Sequence, residues 1–205
     1  MKNANLLLYA ISGGNLATIE AAILGGITML QLRAKQLPDG ELLRLAHSVK
    51  QLTDKYDMPL IINDHADIAK EIDAAGAHLG PTDGNLRAAR ELLGPDKILG
   101  ATARTLEQAI AAEKAGVDYL GSGAVFGSAT KLDATSMPLG RFREICASVS
   151  IPVVAIGGID RTNIMQLKGC GMAGFAVVGG IFGKDDVEQA TKELKEKAQT
   201  CLTSS

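Results

Sequence analysis

The chain has 205 residues, 46% of them hydrophobic, with 23 glycines and a formal net charge of −2. Acids and bases are spread along it with no basic run, which excludes the broad cationic footprint of nucleic-acid or membrane-surface binding. No apolar stretch reaches about 18 residues free of charge, so no membrane span is expected and any anion site must be local.

Short apolar runs alternate with amphipathic segments along the whole length. Candidate strands are Leu6–Ile11, Ile27–Arg33, Leu60–Asn63, Ala77–Gly80, Lys97–Ala101, Val117–Phe126, Val153–Ile156 and Gly174–Val178. Between them, Leu16, Ile19 and Ile23 share one helical face, as do Leu42, Leu45, Val49 and Leu52. Ile68 and Ile72 begin a third helix, and Leu86, Ala89 and Leu93 a fourth. Thr105 with Gln108 forms a capping box for the fifth. A sixth follows Pro138, another spans Arg161–Lys168, and Val187, Ala190, Leu194 and Ala198 close the series. Eight strand–helix alternations are the count of a (β/α)8 TIM barrel, whose parallel strands need helical crossovers. At roughly 25 residues per unit the chain lies near the lower size limit of that fold and leaves nothing for a second domain, so residues 1–205 are expected to form one barrel. A helix-ending glycine ahead of the even-numbered strands, at Gly26, Gly76, Gly116 and Gly171, hints at a two-unit repeat. A doubly wound open sheet is the structural competitor.

With four Phe, three Tyr and no Trp, the core falls to Val, Ile, Leu and Ala. Cys146, Cys170 and Cys201 are odd in number and lack C-x-x-C spacing, so reduced thiols serving as packing residues are expected. The N-terminal run lacks the features of a signal peptide, and a cytoplasmic location is expected.

In such a barrel the working residues sit at the C-terminal ends of the strands. The second strand ends Gln31-Leu32-Arg33-Ala34-Lys35, and alternation places Gln31, Arg33 and Lys35 on one side. The third ends in Asn63 and Asp64. Asp83 follows the fourth, Thr102 ends the fifth, and the sixth empties into Gly127, Ser128, Ala129, Thr130 and Lys131. The last two strands end in Gly157-Gly158 and Gly179-Gly180. Small residues with hydroxyls and an ammonium suit a ligand carrying several anionic oxygens. The paired glycines suit a phosphate cup of backbone N–H groups with a short helix N-terminus behind it. One monophosphate would then sit at Gly158 and Gly179, and a second anionic group would face Arg33, Lys35 and Lys131. Asp64 and Asp83 either pair with those cations or share Mg2+ above a diphosphate.

His47 lies on an amphipathic helix as a surface or packing residue, His78 alternates along the fourth strand as a core histidine, and His65 stands at the rim. No H-E-x-x-H, Cys/His cluster, G-x-S-x-G elbow or nucleophilic triad is present. Chemistry driven by leaving-group stabilisation tolerates that absence, whereas proton abstraction would not.

Several segments together resemble the thiamine-phosphate synthase family: Q-L-R-A-K at Gln31–Lys35, I-N-D at Ile62–Asp64, A-H-L-G-P-T-D at Ala77–Asp83, D-Y-L-G-S-G at Asp118–Gly123, A-T-K-L-D-A at Ala129–Ala134 and V-A-I-G-G-I at Val154–Ile159. The resemblance covers nearly the whole chain in order. It implies a TIM-barrel transferase of thiamine biosynthesis that joins hydroxymethylpyrimidine diphosphate to hydroxyethylthiazole phosphate, giving thiamine phosphate and diphosphate. Position by position, it implies Mg2+ on Asp64 and Asp83, and the diphosphate on Arg33, Lys35, Asn63 and Lys131. Gln31 and Thr102 would face the aminopyrimidine, and Ser128, Thr130, Gly158, Val178 and Gly179 would surround the thiazole phosphate. Arg33, Lys35 and Lys131 would be the catalytic cations.

The chain departs from the family's usual residues at Ala34, Gln36, Pro81, Thr102, the Gly127-Ser128 pair and Gly179. None of these removes the metal carboxylates or the cations. Two rivals remain at this level: a thiazole tautomerase-like isomerase, and a barrel that binds a phosphorylated ligand without turning it over. Small molecules are the expected partners, and the oligomeric state is left open.

Overall fold

The computed structural model describes residues 5–127 and 136–203. Among these residues the order is β1 (Leu8–Ser12), α1 (Leu16–Gly25), β2 (Met29–Leu32), α2 (Asp39–Lys55), β3 (Leu60–Asn63), α3 (Ala66–Glu71), β4 (Gly76–Leu79), α4 (Leu86–Leu93), β5 (Ile98–Thr102), α5 (Leu106–Lys114), β6 (Tyr119–Gly123), α6 (Leu139–Ser148), β7 (Val153–Ile156), a 3-10 turn (Ile164–Leu167), β8 (Gly174–Val177), α7 (Gly179–Phe182) and α8 (Val187–Thr203). The strands are parallel and pair in sequence order, and β8 returns to β1 to close the barrel. The expected (β/α)8 architecture is therefore the observed one, and the open-sheet competitor is excluded.

Side chains alternate along each strand, and the two faces have different chemistry. Leu8, Ala10, Leu30, Leu32, Leu60, Ile62, Leu99, Leu120 and Phe175 point outward into the layer shared with the helices. Tyr9, Ile11, Met29, Ile61, Ile98, Tyr119, Val154 and Ala176 fill the inside. Above this apolar plug, Gln31, Asn63, His78 and Thr102 continue the inward alternation at the C-terminal ends and change its character from apolar to polar.

Local chemistry sets the helix boundaries. The Asn15 side chain accepts from Thr18 N, and that of Asn85 accepts from Arg87 N and Ala88 N, each satisfying donors that the first turn leaves open. Thr105 Oγ1 accepts from Gln108 N at 3.2 Å, as the capping box requires. Gln108 Oε1 reaches back one residue further than expected, to Arg104 N at 2.7 Å. On α1, Ile19 and Ile23 are buried but Leu16, in the first turn, is 42% exposed.

Several expectations need correction. The sixth strand ends at Gly123 rather than Phe126, because its neighbour β7 ends at Ile156 and turns away through Gly157 (φ 102) and Gly158 (φ 65). Val125 and Phe126 still donate to the Ile156 and Gly157 carbonyls, at 2.9 and 3.1 Å, so the chain follows the turn without forming a ladder. The segment Arg161–Lys168 holds only a 3-10 turn. There the Asp160 carboxylate accepts from Thr162 N, and Asn163 Nδ2 donates to Gly158 O, interactions that favour a turn over a helical start.

The glycine echo holds at Gly26 and Gly116, which follow α1 and α5 with positive φ; Gly171 also has positive φ but follows only the 3-10 turn, and Gly76 lies in β4 itself. A Cβ on Gly76 would lie 1.8 Å from Ile98 O, one on Gly123 1.9 Å from Ile156 O, and one on Gly174 1.7 Å from Leu6 O. These glycines let β4, β6 and β8 press their backbones against the next strand around the barrel. Cys170 and Cys201 are buried, Cys146 is half-buried, and all three are free thiols.

Candidate active site

A cavity of about 730 Å³ opens at the C-terminal mouth of the barrel, within the range of small-molecule sites. Gln31, Arg33, Lys35, Asn63, Asp64, Asp83, Thr102, Gly158, Val178 and Gly179 all line it. Residues from β2, β3, β4, β5, β7 and β8 thus converge although they are up to about 150 residues apart, a consequence of parallel strands ending on one face. Ser128, Thr130 and Lys131 lie outside the described residues.

One pole of the cavity is charged. Lys35 Nζ stands 2.7 Å from Asp64 Oδ2 and 3.7 Å from Asp83 Oδ2, so a single ammonium bridges the two carboxylates. Asp64 reaches this point from a left-handed backbone conformation (φ 67), its N–H held by His78 O at 2.8 Å. Asp83 Oδ2 folds back to accept from Gly80 N at 3.0 Å. A Cβ on Gly80 would lie 2.3 Å from that same oxygen, so the bare Cα at 80 gives the carboxylate its place. Burial pushes the Asp64 carboxyl up, helped by the neighbouring Asp83 and opposed by Lys35. Burial also acts on Asp83, but hydrogen bonding with Asp64, the Lys35 charge and the Gly80 N–H together outweigh it and hold Asp83 below the ordinary carboxylate range. Arg33 stands on the same wall, and Asn63 is 9% exposed beside it.

The other pole is made of backbone. Gly157 and Gly158 follow β7, and the short α7 begins at Gly179, so backbone without side chains lines this side beside Ile159, Asp160 and Val178. Asn163 fastens the turn: its Nδ2 donates to Gly158 O at 2.7 Å, and its Oδ1 accepts from Asp160 N at 3.0 Å. Phe126 and Gly127 lie against it, since a Cβ on Gly158 would approach Gly127 O to 2.8 Å and Phe126 O to 2.9 Å.

The floor is polar and buried. Tyr9, Gln31, His78 and Thr102 line it, and Tyr119 lies just beneath, touching Tyr9 and His78. The tyrosines were missed from sequence, although Tyr9 and Tyr119 hold inward positions of β1 and β6 and so carried the signal of alternation. His78 is the expected core histidine, with both ring nitrogens within hydrogen-bond distance of hydroxyls. His47 is exposed, and His65 stands 4.0 Å from Asp67 at the start of α3 rather than in the cavity. Arg104, Ser12 and Asp160 also line the cavity without having been singled out. A second groove of about 530 Å³, lined from α4 and α5 by residues such as Leu86, Ala111, Ala112 and Ala115 and sharing Gly80, Pro81 and Thr102 with the first, has Arg87 as its one charged residue among those described, so convergent charge belongs to the central cavity.

Fold and cavity together define a class: a (β/α)8 enzyme with a carboxylate–cation pole facing a glycine cradle. Residues 8–181 match the family model described as thiamine monophosphate synthase. The chain is 45% identical over 188 residues to thiamine-phosphate synthase 2 of Streptococcus pneumoniae, covering 92% of this chain and 90% of that protein. It is 42% identical over 200 residues to thiamine-phosphate synthase of Clostridium tetani, covering 94% and 96%. Among solved structures, thiamine phosphate pyrophosphorylase from Pyrococcus furiosus superposes with a TM-score of 0.89 at 38% identity, covering 97% of this chain and 98% of that one. The chain belongs to the thiamine monophosphate synthase family, and is a transferase of thiamine biosynthesis.

Proposed function

We infer that the protein joins hydroxymethylpyrimidine diphosphate to hydroxyethylthiazole phosphate by departure of diphosphate, and that the two poles of the cavity divide the substrates between them. The observation that carries this reading is the Asp64–Lys35–Asp83 cluster facing Gly158 and Gly179 across one cavity.

The donor set at the charged pole fits Mg2+. Two carboxylates already converge on a cationic centre, the Lys35 ammonium, and Mg2+ characteristically takes one or two carboxylates and fills its other positions with water and phosphate oxygens. Asp64 and Asp83 would hold the ion, which when bound there supplies positive charge to the leaving diphosphate. Arg33 and Lys35 add donors to the same oxygens, and Asn63 offers an amide at the rim. Gln31 and Thr102 hold the aminopyrimidine on the polar floor. The Gly158 turn and the N-terminus of α7 hold the thiazole phosphate and aim its ring inward.

Cleavage of the C–O bond sends its electron pair onto the diphosphate and leaves a pyrimidinylmethyl cation, delocalised by the ring and its amino group. The thiazole nitrogen then gives its lone pair to that carbon, and the C–N bond forms. No strong base is needed, so the chain contributes positioning and charge. The expected medium is the cell interior.

Diphosphate release followed with both substrates tests the reading. Release should require both substrates and Mg2+, and Asp64→Asn and Asp83→Asn should each lower kcat/KM by about a hundredfold or more. Full turnover of Asp64→Asn with unchanged Mg2+ dependence would refute the metal assignment. Interconversion of thiazole tautomers without diphosphate release would replace the transferase reading with an isomerase.

A further inference from the structure

Gln31 and Thr102 stand on different sides of the cavity, yet hydrogen bonds beneath the floor join them without a break. Gln31 Nε2 donates to the Tyr9 hydroxyl. The Tyr9 and Tyr119 hydroxyls are 2.8 Å apart. The Tyr119 hydroxyl lies 3.0 Å from His78 Nδ1, and His78 Nε2 lies 3.0 Å from Thr102 Oγ1. The chain crosses from β2 through β1, β6 and β4 to β5. Tyr9 is 1% exposed, Tyr119 0% and Gln31 2%, so bulk water does not mediate these contacts.

Neighbouring glycines make room for the aromatic links. A Cβ on Gly100 would lie 2.2 Å from Tyr119 Cζ, and one on Gly121 would lie 3.4 Å from His78 Cε1. The Tyr9 and Tyr119 rings meet edge to face at 5.8 Å.

Each link has one proton to place. Tyr9 accepts from Gln31, and the remaining hydrogen-bond partner recorded for its hydroxyl is Tyr119. Tyr119 then gives its proton to His78 Nδ1, and His78 must carry its own on Nε2 and donate it to Thr102. The Thr102 proton is left for the cavity, while Gln31 Oε1, unused by the chain, is left as an acceptor. Each link shares one proton between two heavy atoms, so the chain transmits orientation rather than charge.

We propose that Tyr9, Tyr119 and His78 are positioning residues that keep the Thr102 proton turned to the cavity and Gln31 Oε1 as an acceptor there, and so select a 4-aminopyrimidine over its 4-oxo counterpart. This rests on the reading of Gln31 and Thr102 as pyrimidine contacts given above. The amino ring offers an N–H donor and a bare ring nitrogen, matching the two locked ends. The oxo ring would set its carbonyl against Gln31 Oε1, and turning the amide to relieve that would set Oε1 against Tyr9 and reverse the protons beneath it, while Thr102 would have to turn its proton aside and accept on its second lone pair.

Nitrogen-15 NMR of the ligand-free enzyme, and inhibition by the amino and 4-oxo pyrimidine diphosphates, test it. Using the oxo compound as an inhibitor keeps its poorer ionisation out of the measurement. His78 should show the Nε2–H tautomer with a bare Nδ1; an Nδ1–H tautomer or an imidazolium at pH 7 overturns the proposal. Tyr119→Phe should cut the preference for amino over oxo by about tenfold or more while KM for the thiazole phosphate stays unchanged, and Thr102→Ser should keep the preference. An unchanged preference in Tyr119→Phe, or equal weakening of both pyrimidines, overturns it. Should Tyr119→Phe not fold, Tyr9→Phe interrupts the chain one link earlier and is read the same way. A wild-type enzyme that binds neither pyrimidine overturns the functional reading and with it the ligand half of this proposal, whereas the tautomer measured without ligand judges the chain itself.

Discussion

Asp83 holds its carboxylate where Gly80 has no side chain, so a methyl group at 80 meets that oxygen and nothing rigid. Gly80→Ala should therefore raise the Mg2+ concentration needed for half-maximal rate by about tenfold, with little change in melting temperature. A titration of rate against Mg2+, beside a thermal melt, checks both halves. His78 gives a pH prediction. Its native pKa is depressed to about 4 against an unfolded value of 6.5, so the unfolded chain takes up a proton first as pH falls. The stability His78 contributes is complete above pH 6.5 and is lost between that pH and about 4. By pH 4.5 the loss amounts to roughly 2–3 kcal/mol. Urea unfolding at pH 7 and 4.5 should show this extra loss in the wild type and not in His78→Gln, whatever the variant's stability at pH 7. At this scale the charged residues were legible in the sequence, because period-2 alternation and a strand-end position suffice to place Gln31, Arg33 and Lys35 together. Tyr9 and Tyr119 were not, since an inward tyrosine looks like core until its hydroxyl partners are known.

Among the elements, β4, β6 and β8 are limited by backbone approach at Gly76, Gly123 and Gly174. At Gly174 an added methyl would meet the Leu6 carbonyl at 1.7 Å, and Gly174→Ala should destabilise by about 3 kcal/mol. In α6, Gly140 has nothing within 4 Å of an added Cβ, and Gly140→Ala should stabilise by about 0.5 kcal/mol. Chemical denaturation of the two variants side by side measures the contrast. Helices and strands were legible where periodicity ran long, as along Leu42, Leu45, Val49 and Leu52 of α2, of which Leu42 and Val49 are buried and Leu45 and Leu52 pack half-buried against the core. It misled after β6, where Val125 and Phe126 are apolar enough for a strand but β7 has already turned away. It misled again at Arg161–Lys168, where the side chains of Asp160 and Asn163 compete for the backbone. Neither outcome follows from local hydrophobicity, because each is decided by a neighbour distant in sequence or by a side chain–backbone contact.

For the whole molecule, the count of alternations was enough to foresee closure, since eight parallel strands with helical crossovers have few other solutions. Which glycines serve the closure was not legible: Gly76 resembles a helix terminator in the sequence and is a strand residue in the fold. A cavity lined by residues of all eight strands also ties ligand binding to global stability. Inorganic diphosphate with Mg2+ at about 100 times its Kd should stabilise the fold by about 2.7 kcal/mol. In Asp64→Asn the metal-dependent part of that gain should vanish, which thermal melts with diphosphate alone and with both ligands will show.

The bare positions at 76, 123 and 174 have a consequence for recombining such barrels. Each belongs to a couple of strands and not to a single one, because its absent side chain is matched to a carbonyl on the facing partner: β4 with β5, β6 with β7, and β8 with the segment entering β1. A grafted strand with a side chain at one of these positions would bring a methyl against a peptide oxygen, and any single cut separates β8 from the segment entering β1, whereas β6 and β7 exchanged as one insert, cut between β5 and β6 and again between β7 and β8, would carry both halves of their fit and leave the other two couples whole.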